Sequence, residues 1–465
     1  MCGIVGYVGN KSVVDILLDG LEQLEYRGYD SSGIAVMCEN EIKVYKAIGK
    51  LQNLRDELKG HENEYSASTM GIGHIRWATH GAPTLLNAHP HTCTCGNLVV
   101  VHNGIIENYK ELRDELSKDG CVFRSQTDTE AVAHLVARKY AECKDLTEAV
   151  RLASEEIEGA YALCVMHHDC KNTLVITKRN APLLIGIGDG EYYAASDVPA
   201  IIKHTNKAVY LEDNQIATLT PESMQMIDAD GNKLSPKIEV LPWEPVALSK
   251  MGYKHFMLKE IHEQPDVIRN ILVGRLHAPD ESIILNEVKL TKETLKNLDR
   301  IQIIACGTSL HAAMIGKYLI ESFCGIAVDV EASSEYIYRK TVTNERTLVI
   351  GVSQSGETAD TLTAIKQAKA KGAHILIITN RPDSAMAREA DSLIPVNAGI
   401  EVSVAATKSY IAQLMAFYLL SLYMAEIKDS IAASTLTSLK AELMILPQKI
   451  EQILAHKENI QTVAK

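Results

Sequence analysis

Hydrophobic and polar positions follow different patterns in the two halves of the chain. Up to about residue 242, short apolar strands alternate with a few amphipathic helices, which is typical of a layered α/β sandwich. The first strand is predicted at 4–8, and helices are predicted at 11–26, 110–116 and 129–141. Further strands are predicted at 161–167, 173–177, 183–188, 192–195 and 215–219.

In the second half, the pattern changes to apolar strand, turn and helix in regular succession. Helical stretches separate five β-branched runs, at 301–305, 327–331, 347–352, 374–379 and 392–396. Short buried strands joined by helices predict a parallel sheet with right-handed crossovers, in a Rossmann-like three-layer architecture.

Breaks in these patterns predict the domain boundaries. Two prolines flank the pair Trp243-Glu244, where we expect a linker to begin. Leucines and isoleucines near the C-terminal end recur at helical spacing and predict a helix with one apolar face, which Pro447 would kink or restart. This face could pack on the same chain, on a neighbouring domain or in a coiled coil. The expected segments are a domain at 2–242, a linker at 243–285, a domain at 286–430 and a helical segment at 431–465.

Composition and charge narrow the classes of function. The 465 residues are 46% hydrophobic and 23% charged, without an apolar run that approaches the roughly 20 residues of a membrane-spanning helix. The formal net charge is −12 and the acidic residues are dispersed, which argues against a nucleic-acid partner. The chain does not begin with a basic and apolar secretory signal. We therefore expect a cytoplasmic protein that contacts neither membrane nor nucleic acid.

Every second position from 89 to 95 carries a possible metal ligand, namely His89, His91, Cys93 and Cys95. This spacing raises the question of a metal site. Residues two apart on a strand share one face, whereas structural zinc sites use wider pairs on turns. The ten cysteines of the chain are irregularly spaced and do not resemble a disulfide framework. An incidental strand or loop is therefore favoured, and no metal is predicted.

The first 130 residues carry a series of polar motifs that begins with Cys2. When the initiator methionine is removed, this residue carries a free α-amine, with a pKa near 8, beside its own thiol, and such an amine can activate a nucleophile. The motifs that follow in order are Arg27-Gly28-Tyr29-Asp30-Ser31-Ser32-Gly33, His74-Ile75-Arg76-Trp77-Ala78-Thr79-His80-Gly81, Asn87-Ala88-His89-Pro90-His91, His102-Asn103-Gly104-Ile105-Ile106-Glu107-Asn108 and Thr127-Asp128-Thr129-Glu130.

Together these motifs resemble the class II glutamine amidotransferases, a branch of the N-terminal nucleophile hydrolases with an αββα sandwich fold. The resemblance implies that the Cys2 thiolate attacks the side-chain amide of glutamine. This attack creates an oxyanion, which needs preorganised hydrogen-bond donors. The resemblance assigns that role to the Asn103 side chain and the Gly104 backbone N–H.

The same resemblance implies a binding site for the charged end of glutamine. Arg76 would bind the α-carboxylate and Asp128 the α-ammonium, while Trp77, Thr79 and His80 would belong to a mobile loop that closes over the substrate. Each residue also has a structural alternative when it is taken alone. Arg76 could form a surface ion pair, Asp128 could cap a helix, and Asn103-Gly104 could form a type I′ turn.

Two turns of the predicted parallel sheet carry hydroxyl groups. Cys306-Gly307-Thr308-Ser309 follows one strand, and Ser353-Gln354-Ser355-Gly356-Glu357-Thr358 follows another. Hydroxyls and backbone N–H groups at helix N-termini suit a phosphate, although the serines could also serve only as helix caps. The pair of turns resembles the sugar isomerase (SIS) phosphosugar-binding domain. That resemblance implies that Ser353, Gln354, Ser355 and Thr358 hold the phosphate, and that Thr308 and Ser309 contact the sugar.

The whole chain resembles the glutamine:fructose-6-phosphate aminotransferases (isomerizing). This implies the use of L-glutamine to convert fructose 6-phosphate into glucosamine 6-phosphate with release of glutamate, the first step of the hexosamine pathway. No metal or organic cofactor is implied, and the resemblance implies a homodimer for the complete enzyme.

The family carries two SIS domains, whereas one pair of phosphate-binding turns is found here. We therefore expect a truncated chain that retains glutamine hydrolysis and part of the sugar-phosphate site. A stand-alone glutaminase and a sugar-phosphate-sensing binding module remain as alternatives.

Overall fold

The computed structural model describes residues 2–25, 28, 30–39, 41–77, 81–241 and 251–464. The chain divides into two compact units, Met1–Leu248 and Ser249–Lys465, and each is described by itself. Thr79 and His80 of the predicted glutamine loop lie outside the described residues, as does the start of the predicted linker, 243–250.

Two antiparallel sheets form the centre of the first unit. One has eight strands in the order β15-β11-β9-β10-β1-β4-β2-β3, and the other has seven in the order β14-β13-β12-β8-β7-β6-β5. The strands are β1 Gly3–Val8, β2 Ser31–Met37, β3 Ile42–Ile48, β4 Met70–Arg76, β5 His91–Thr92, β6 Leu98–Ile106, β7 Gly159–His167, β8 Leu174–Arg179, β9 Leu184–Ile187, β10 Tyr192–Ala195, β11 Lys207–Tyr210, β12 Ile216–Leu219, β13 Met224–Ile227, β14 Lys233–Leu234 and β15 Glu239–Val240.

Helices cover the outer faces of both sheets. They are α1 Val13–Leu24, α2 Leu51–Glu57, α3 Glu62–Tyr65, α4 Tyr109–Lys118, α5 Thr129–Cys143 and α6 Leu146–Glu156, with a 3-10 turn at Val198–Ala200. Period-2 alternation along β1 shows how the layers form, because Ile4 and Val8 face the core between the sheets while Val5 lies against α1. Helices α4, α5 and α6 share a core with the seven-stranded sheet. The predicted αββα sandwich is confirmed.

The second unit is built on a parallel sheet in the order β17-β16-β18-β19-β20. Its strands are β16 Arg300–Ala305, β17 Val328–Ala332, β18 Thr347–Ser353, β19 His374–Thr379 and β20 Ser392–Pro395. Its helices are α7 Phe256–His262, α8 Gln264–Leu272, α9 Lys292–Asn297, α10 Gly307–Cys324, α11 Ser333–Tyr338, α12 Ala359–Ala370, α13 Ala385–Glu389, α14 Lys408–Lys428, α15 Ala433–Ala455 and α16 Lys457–Ala464.

Both faces of the parallel sheet are covered, which explains the continuous apolar runs of its strands. On β16, Ile301 and Ile303 join a core with α8, α10, α14 and α15, whereas Ile304 joins a second core with α11, α12 and α13. The three-layer architecture predicted for this half is confirmed.

Part of the segment predicted as a linker belongs to the second unit. From Met251 onward it contains α7 and α8, and α8 buries Val267, Ile268 and Ile271 in the larger core. Pro265, which suggested a break, occupies the first turn of α8, where a missing N–H is tolerated.

The C-terminal helices differ in two ways from the sequence pattern. Helix α15 continues through Pro447 without starting a new helix, and it packs its apolar face, including Leu436 and Leu443, on its own unit. Helix α14 is long and apolar enough to resemble a membrane span by composition, with a mean hydropathy of 1.4, and 61% of that stretch is buried in the core. Burial within the unit accounts for its composition.

Candidate active site

Cys2 lies at the entrance of β1, beside the end of β4. The antiparallel pairing of Gly3 with Ile75 carries the thiol to the residues that follow β4. The Trp77 backbone N–H donates a hydrogen bond to Cys2 Sγ at 3.3 Å. Cys2 is half-buried and Trp77 is 39% exposed, so the thiol sits at the rim of the unit, within reach of a small molecule.

Asn103 and Gly104 approach Cys2 from the other sheet. Asn103 Nδ2 donates to the Cys2 carbonyl oxygen at 3.2 Å. Gly104 follows at a φ of +127°, and its backbone is exposed. The alternative of a type I′ turn is wrong, because both residues lie inside β6 and pair with Ala162 and Tyr161 of β7. Asn103 therefore contacts the backbone of Cys2 from the other sheet, and Gly104 follows it in the same strand.

Arg76 and Asp128 place buried opposite charges beside the thiol. Arg76 is only 3% exposed, which excludes the surface ion pair, and its guanidinium donates to the Gly81 carbonyl at 3.1 Å. Burial lowers the pKa of Arg76, and the negative charges of Cys2, Asp30 and Asp128 oppose that shift. These charges are therefore close enough to interact.

Asp128 has a structural role as well as a charge. Its Oδ1 accepts the N–H of Thr129 at 3.0 Å as the N-cap of α5, and its Oδ2 accepts the N–H of Ile106 at 2.9 Å. The capping alternative is thus correct, and it is compatible with a binding role, because a carboxylate fixed by two backbone donors is held in one orientation.

The structure places a layer of four buried histidines beneath these residues: His74, His89, His91 and His102. The His74 and His89 rings stack with centroids 4.1 Å apart. Burial lowers the pKa of all four, to about 3 for His74. The motif assignment gave these histidines no role. The available signal was a cluster of five histidines, these four and His80, within 29 positions of a strand-rich segment.

The four possible metal ligands at every second position, His89, His91, Cys93 and Cys95, do not share one partner. His91 Nε2 lies 3.1 Å from Thr127 Oγ1, and Cys93 Sγ lies 3.1 Å from Cys95 Sγ. In the part of the chain that the structure describes, no three or more His, Cys, Asp or Glu side chains converge as metal ligands would.

In the second unit, the two hydroxyl-bearing turns follow neighbouring strands. Thr308 and Ser309 lie in the first turn of α10 after β16, and 353–358 joins β18 to α12. From β16 the chain proceeds to β17 on one side of the sheet, and from β18 to β19 on the other. The turns therefore flank the point where strand order reverses, which is the usual ligand site of an open α/β sheet.

The serine and threonine hydroxyls of the turn 353–358 form hydrogen bonds within the turn itself. Ser353 Oγ accepts the N–H of Gly356 at 3.0 Å and lies 2.9 Å from Thr358 Oγ1, while Ser355 Oγ accepts the N–H of Glu357 at 3.2 Å. The residue that caps α12 is Thr358, and its side chain makes no capping hydrogen bond. The serines shape the turn rather than cap the helix, which leaves the helix N-terminus available to an anion.

A supporting network was not evident from the motifs. Glu260 of α7 is 2% exposed, and its Oε1 accepts the N–H of Val402 at 2.6 Å. Lys408, at the start of α14, pairs with Glu263 at 2.7 Å. Asn380 Nδ2 donates to the Gly399 carbonyl oxygen at 2.6 Å, and the Asn380 backbone N–H donates to the Gln354 carbonyl oxygen at 3.3 Å. The loop before α14 is thus tied both to the hydroxyl-bearing turn at 353–358 and to the segment predicted as a linker.

In comparisons with known proteins, a different family model matches each half of the chain. A model of the glutamine amidotransferase domain matches residues 41–245, and a model of the SIS domain matches residues 294–423. The solved C-terminal domain of glucosamine-fructose-6-phosphate aminotransferase from Francisella tularensis is 36% identical, with a TM-score of 0.44, over 46% of this chain and 60% of that one.

Curated relatives match the chain along its whole length. A glutamine–fructose-6-phosphate aminotransferase (isomerizing) from Caldanaerobacter subterraneus subsp. tengcongensis is 46% identical over 100% of this chain and 75% of its own length. The enzyme of the same name from Gloeobacter violaceus is 48% identical over 99% of this chain and 75% of its own length. The chain therefore belongs to the family of glutamine–fructose-6-phosphate aminotransferases (isomerizing).

Proposed function

We propose that the first unit hydrolyses L-glutamine with Cys2 as the nucleophile and supplies ammonia for the amination of fructose 6-phosphate. The family is that of an aminotransferase that acts on these two substrates. The observation that carries the assignment of residues is the hydrogen bond from Asn103 Nδ2 to the Cys2 carbonyl oxygen, which brings the amide to the residue that bears the thiol, beside the buried charges of Arg76 and Asp128.

Each residue would take one part of the reaction. The Cys2 thiolate attacks the side-chain carbonyl carbon of glutamine, and Asn103 Nδ2 and the Gly104 N–H stabilise the resulting oxyanion. The α-amine of Cys2 passes a proton to the leaving nitrogen, so that ammonia departs and a γ-glutamyl thioester remains. Water then attacks the thioester, which releases glutamate and regenerates the thiol.

The charged end of glutamine would be held by the buried pair. Arg76 binds the α-carboxylate and Asp128 the α-ammonium, because a zwitterion needs one partner of each sign. Trp77 closes one side of the site, and Thr79 and His80 remain predicted members of the same loop. A substrate lacking either charge should bind poorly.

The second unit would hold the sugar phosphate at the two turns. Ser353, Gln354, Ser355 and Thr358 surround the phosphate at the N-terminus of α12, and Thr308 and Ser309 contact the sugar from α10. Backbone N–H groups and hydroxyls provide this site without a lysine cluster, which reconciles an anionic ligand with a net charge of −12. A homodimer and a cytoplasmic location remain predictions.

Glutamate release from glutamine tests the assignment of the nucleophile. We expect Cys2→Ala to lose this activity by at least about 1,000-fold, because the residue forms the covalent bond. Cys143→Ala, which removes a half-buried thiol at the end of α5, should retain it. Undiminished release by Cys2→Ala would contradict the assignment. Fructose 6-phosphate binding without any glutamate release by the wild-type chain would favour the binding module.

A further inference from the structure

His74 makes a pair of hydrogen bonds that involve a candidate catalytic side chain. It lies on β4 with no exposed surface, and its Nε2 is 3.0 Å from both the His102 carbonyl oxygen and Asn103 Oδ1. A backbone carbonyl oxygen only accepts, so His74 Nε2 must carry a proton. The oxygen of the Asn103 amide, rather than its nitrogen, must then face His74.

The protonation state of His74 supports the same arrangement. Burial lowers its pKa to about 3, so the ring is neutral under ordinary conditions and carries a single proton. In the part of the chain that the structure describes, Nδ1 has no hydrogen-bond partner, which agrees with a proton on Nε2. The stacked ring of His89 restricts rotation of the His74 ring.

The two ends of the Asn103 amide are therefore distinguished by their surroundings. The oxygen accepts from His74, and the nitrogen donates to the Cys2 carbonyl oxygen at 3.2 Å. A rotation of the amide by 180° would set two oxygens against each other at Cys2 and would turn the amide nitrogen toward the His74 N–H. Each contact opposes the rotated form.

We propose that His74 is a positioning residue that holds the Asn103 amide with its nitrogen toward Cys2. This rests on the proposed function, in which Asn103 Nδ2 stabilises the oxyanion. Without the donor at His74, the amide can rotate and present its oxygen to the developing negative charge, which would repel it. His74 thus contributes to the reaction through Asn103, without touching glutamine.

Steady-state kinetics of glutamate release test the proposal. His74→Leu removes the donor and should lower kcat about 100-fold, the scale of losing one oxyanion donor. The KM for glutamine should change less than about threefold, because Arg76 and Asp128 remain. His74→Gln, whose amide nitrogen can reach the position of Nε2, should recover most of the activity. His74→Asn, equally polar but shorter, should not.

Two controls separate positioning from general damage. Alkylation of Cys2 by iodoacetamide forms no oxyanion, so its rate should be the same in wild type and in the His74 variants. In an Asn103→Ala background, His74→Leu should cause no further loss of kcat, because the side chain it positions is gone.

Other outcomes would overturn the proposal. An equal loss of kcat in both backgrounds, a raised KM with normal kcat, or full activity of His74→Asn would show that His74 does not act through Asn103. If His74→Leu does not fold, the kcat of His74→Gln is compared with that of His74→Asn, and equal values would overturn the proposal. Cys2→Ala, measured in the same series, reports separately on the proposed function, since glutamate release by that variant would contradict the nucleophile whatever His74 does.

Discussion

At the scale of single residues, the proposed glutaminase site joins side chains that are far apart along the chain. Cys2 and Asn103 are 101 positions apart, and their contact depends on two sheets packing face to face. The motifs predicted which residue types are present, because a nucleophile, an amide and a pair of charges are recognisable one by one. They could not decide between a turn and a strand at Asn103-Gly104, because the pairing of β6 with β7 comes from residues after position 158.

Gly104→Ala is expected to reduce glutamate release by about 100-fold or more. A Cβ at this position would overlap the carbonyl oxygen of Ala160, and the φ of +127° is unfavourable for alanine. The backbone N–H would shift from the position in which we propose that it stabilises the oxyanion. The kcat and the thermal unfolding midpoint measure the effect.

Gly96→Ala is the matched control for this variant. Gly96 also has a positive φ, of +77°, but an added Cβ would meet nothing within 4 Å. Its unfolding midpoint should fall slightly and its kcat should stay near wild type. Equal losses of kcat in the two variants would contradict the role assigned to the Gly104 N–H.

At the scale of elements, the parallel sheet was predictable because strand, turn and helix alternate locally. That alternation predicts a turn after β16 and another after β18. The two turns lie next to each other because β16 and β18 are neighbours at the point where strand order reverses. Helices α7 and α8 were harder to predict from the sequence, because two prolines near position 243 and a third at Pro265 suggested a continuous linker. Only the packing of Ile268 and Ile271 against α14 and α15 shows that this segment is part of the core.

Ser355→Ala and Ser353→Ala should separate an effect on ligand binding from an effect on folding at the proposed phosphate site, the turn 353–358. Both should raise the Kd for fructose 6-phosphate by about tenfold, since each removes a hydroxyl from the site. Ser353→Ala, whose buried hydroxyl bonds to Gly356 and Thr358, should also lower stability by about 1 kcal/mol, more than Ser355→Ala, whose half-buried hydroxyl accepts the N–H of Glu357. Isothermal titration calorimetry and thermal unfolding measure the two effects.

The control for this pair is Ser322→Ala, which changes an exposed serine on α10. It should leave both the Kd and the unfolding midpoint at the wild-type values. Unchanged binding in both Ser353→Ala and Ser355→Ala would show that the phosphate does not occupy this turn.

At the scale of the whole molecule, each unit has its own core, and buried titratable groups are concentrated in the first. Fold class and family were predictable from motif order, because the two halves resemble different known domains. The buried histidine layer was not predictable from the sequence. Burial is set by the packing of two sheets, and the motif that contains each histidine does not reveal it. Its consequence is a stability that depends on pH.

We expect the first unit to lose stability as the pH falls below about 6.5. The folded-state pKa of His74, His89, His91 and His102 is lowered, whereas unfolded histidines titrate near 6.5. Between these values only the unfolded chain binds the protons, so stability rises with pH. Each histidine contributes up to about 1.4 kcal/mol per pH unit in that window.

Calorimetric unfolding at pH 7.5, 6.0 and 5.0 checks this dependence. The midpoint of the first unit should be nearly constant above pH 7 and fall toward pH 5. His91→Gln should reduce the slope, whereas His61→Gln, which replaces a half-exposed ring, should change it less. A first unit that is as stable at pH 5.0 as at pH 7.5 would contradict the neutral, buried state of the layer.

The central claim, that Cys2 attacks glutamine, is tested most directly by covalent trapping. The chain is incubated with a glutamine analogue that carries a reactive diazoketone in place of the side-chain amide, and its peptides are then analysed by mass spectrometry. We predict a single adduct on the peptide that begins with Cys2, its loss when excess glutamine is present, and no adduct in Cys2→Ala. An adduct on a different cysteine, or labelling of Cys2 that glutamine does not slow, would contradict the account.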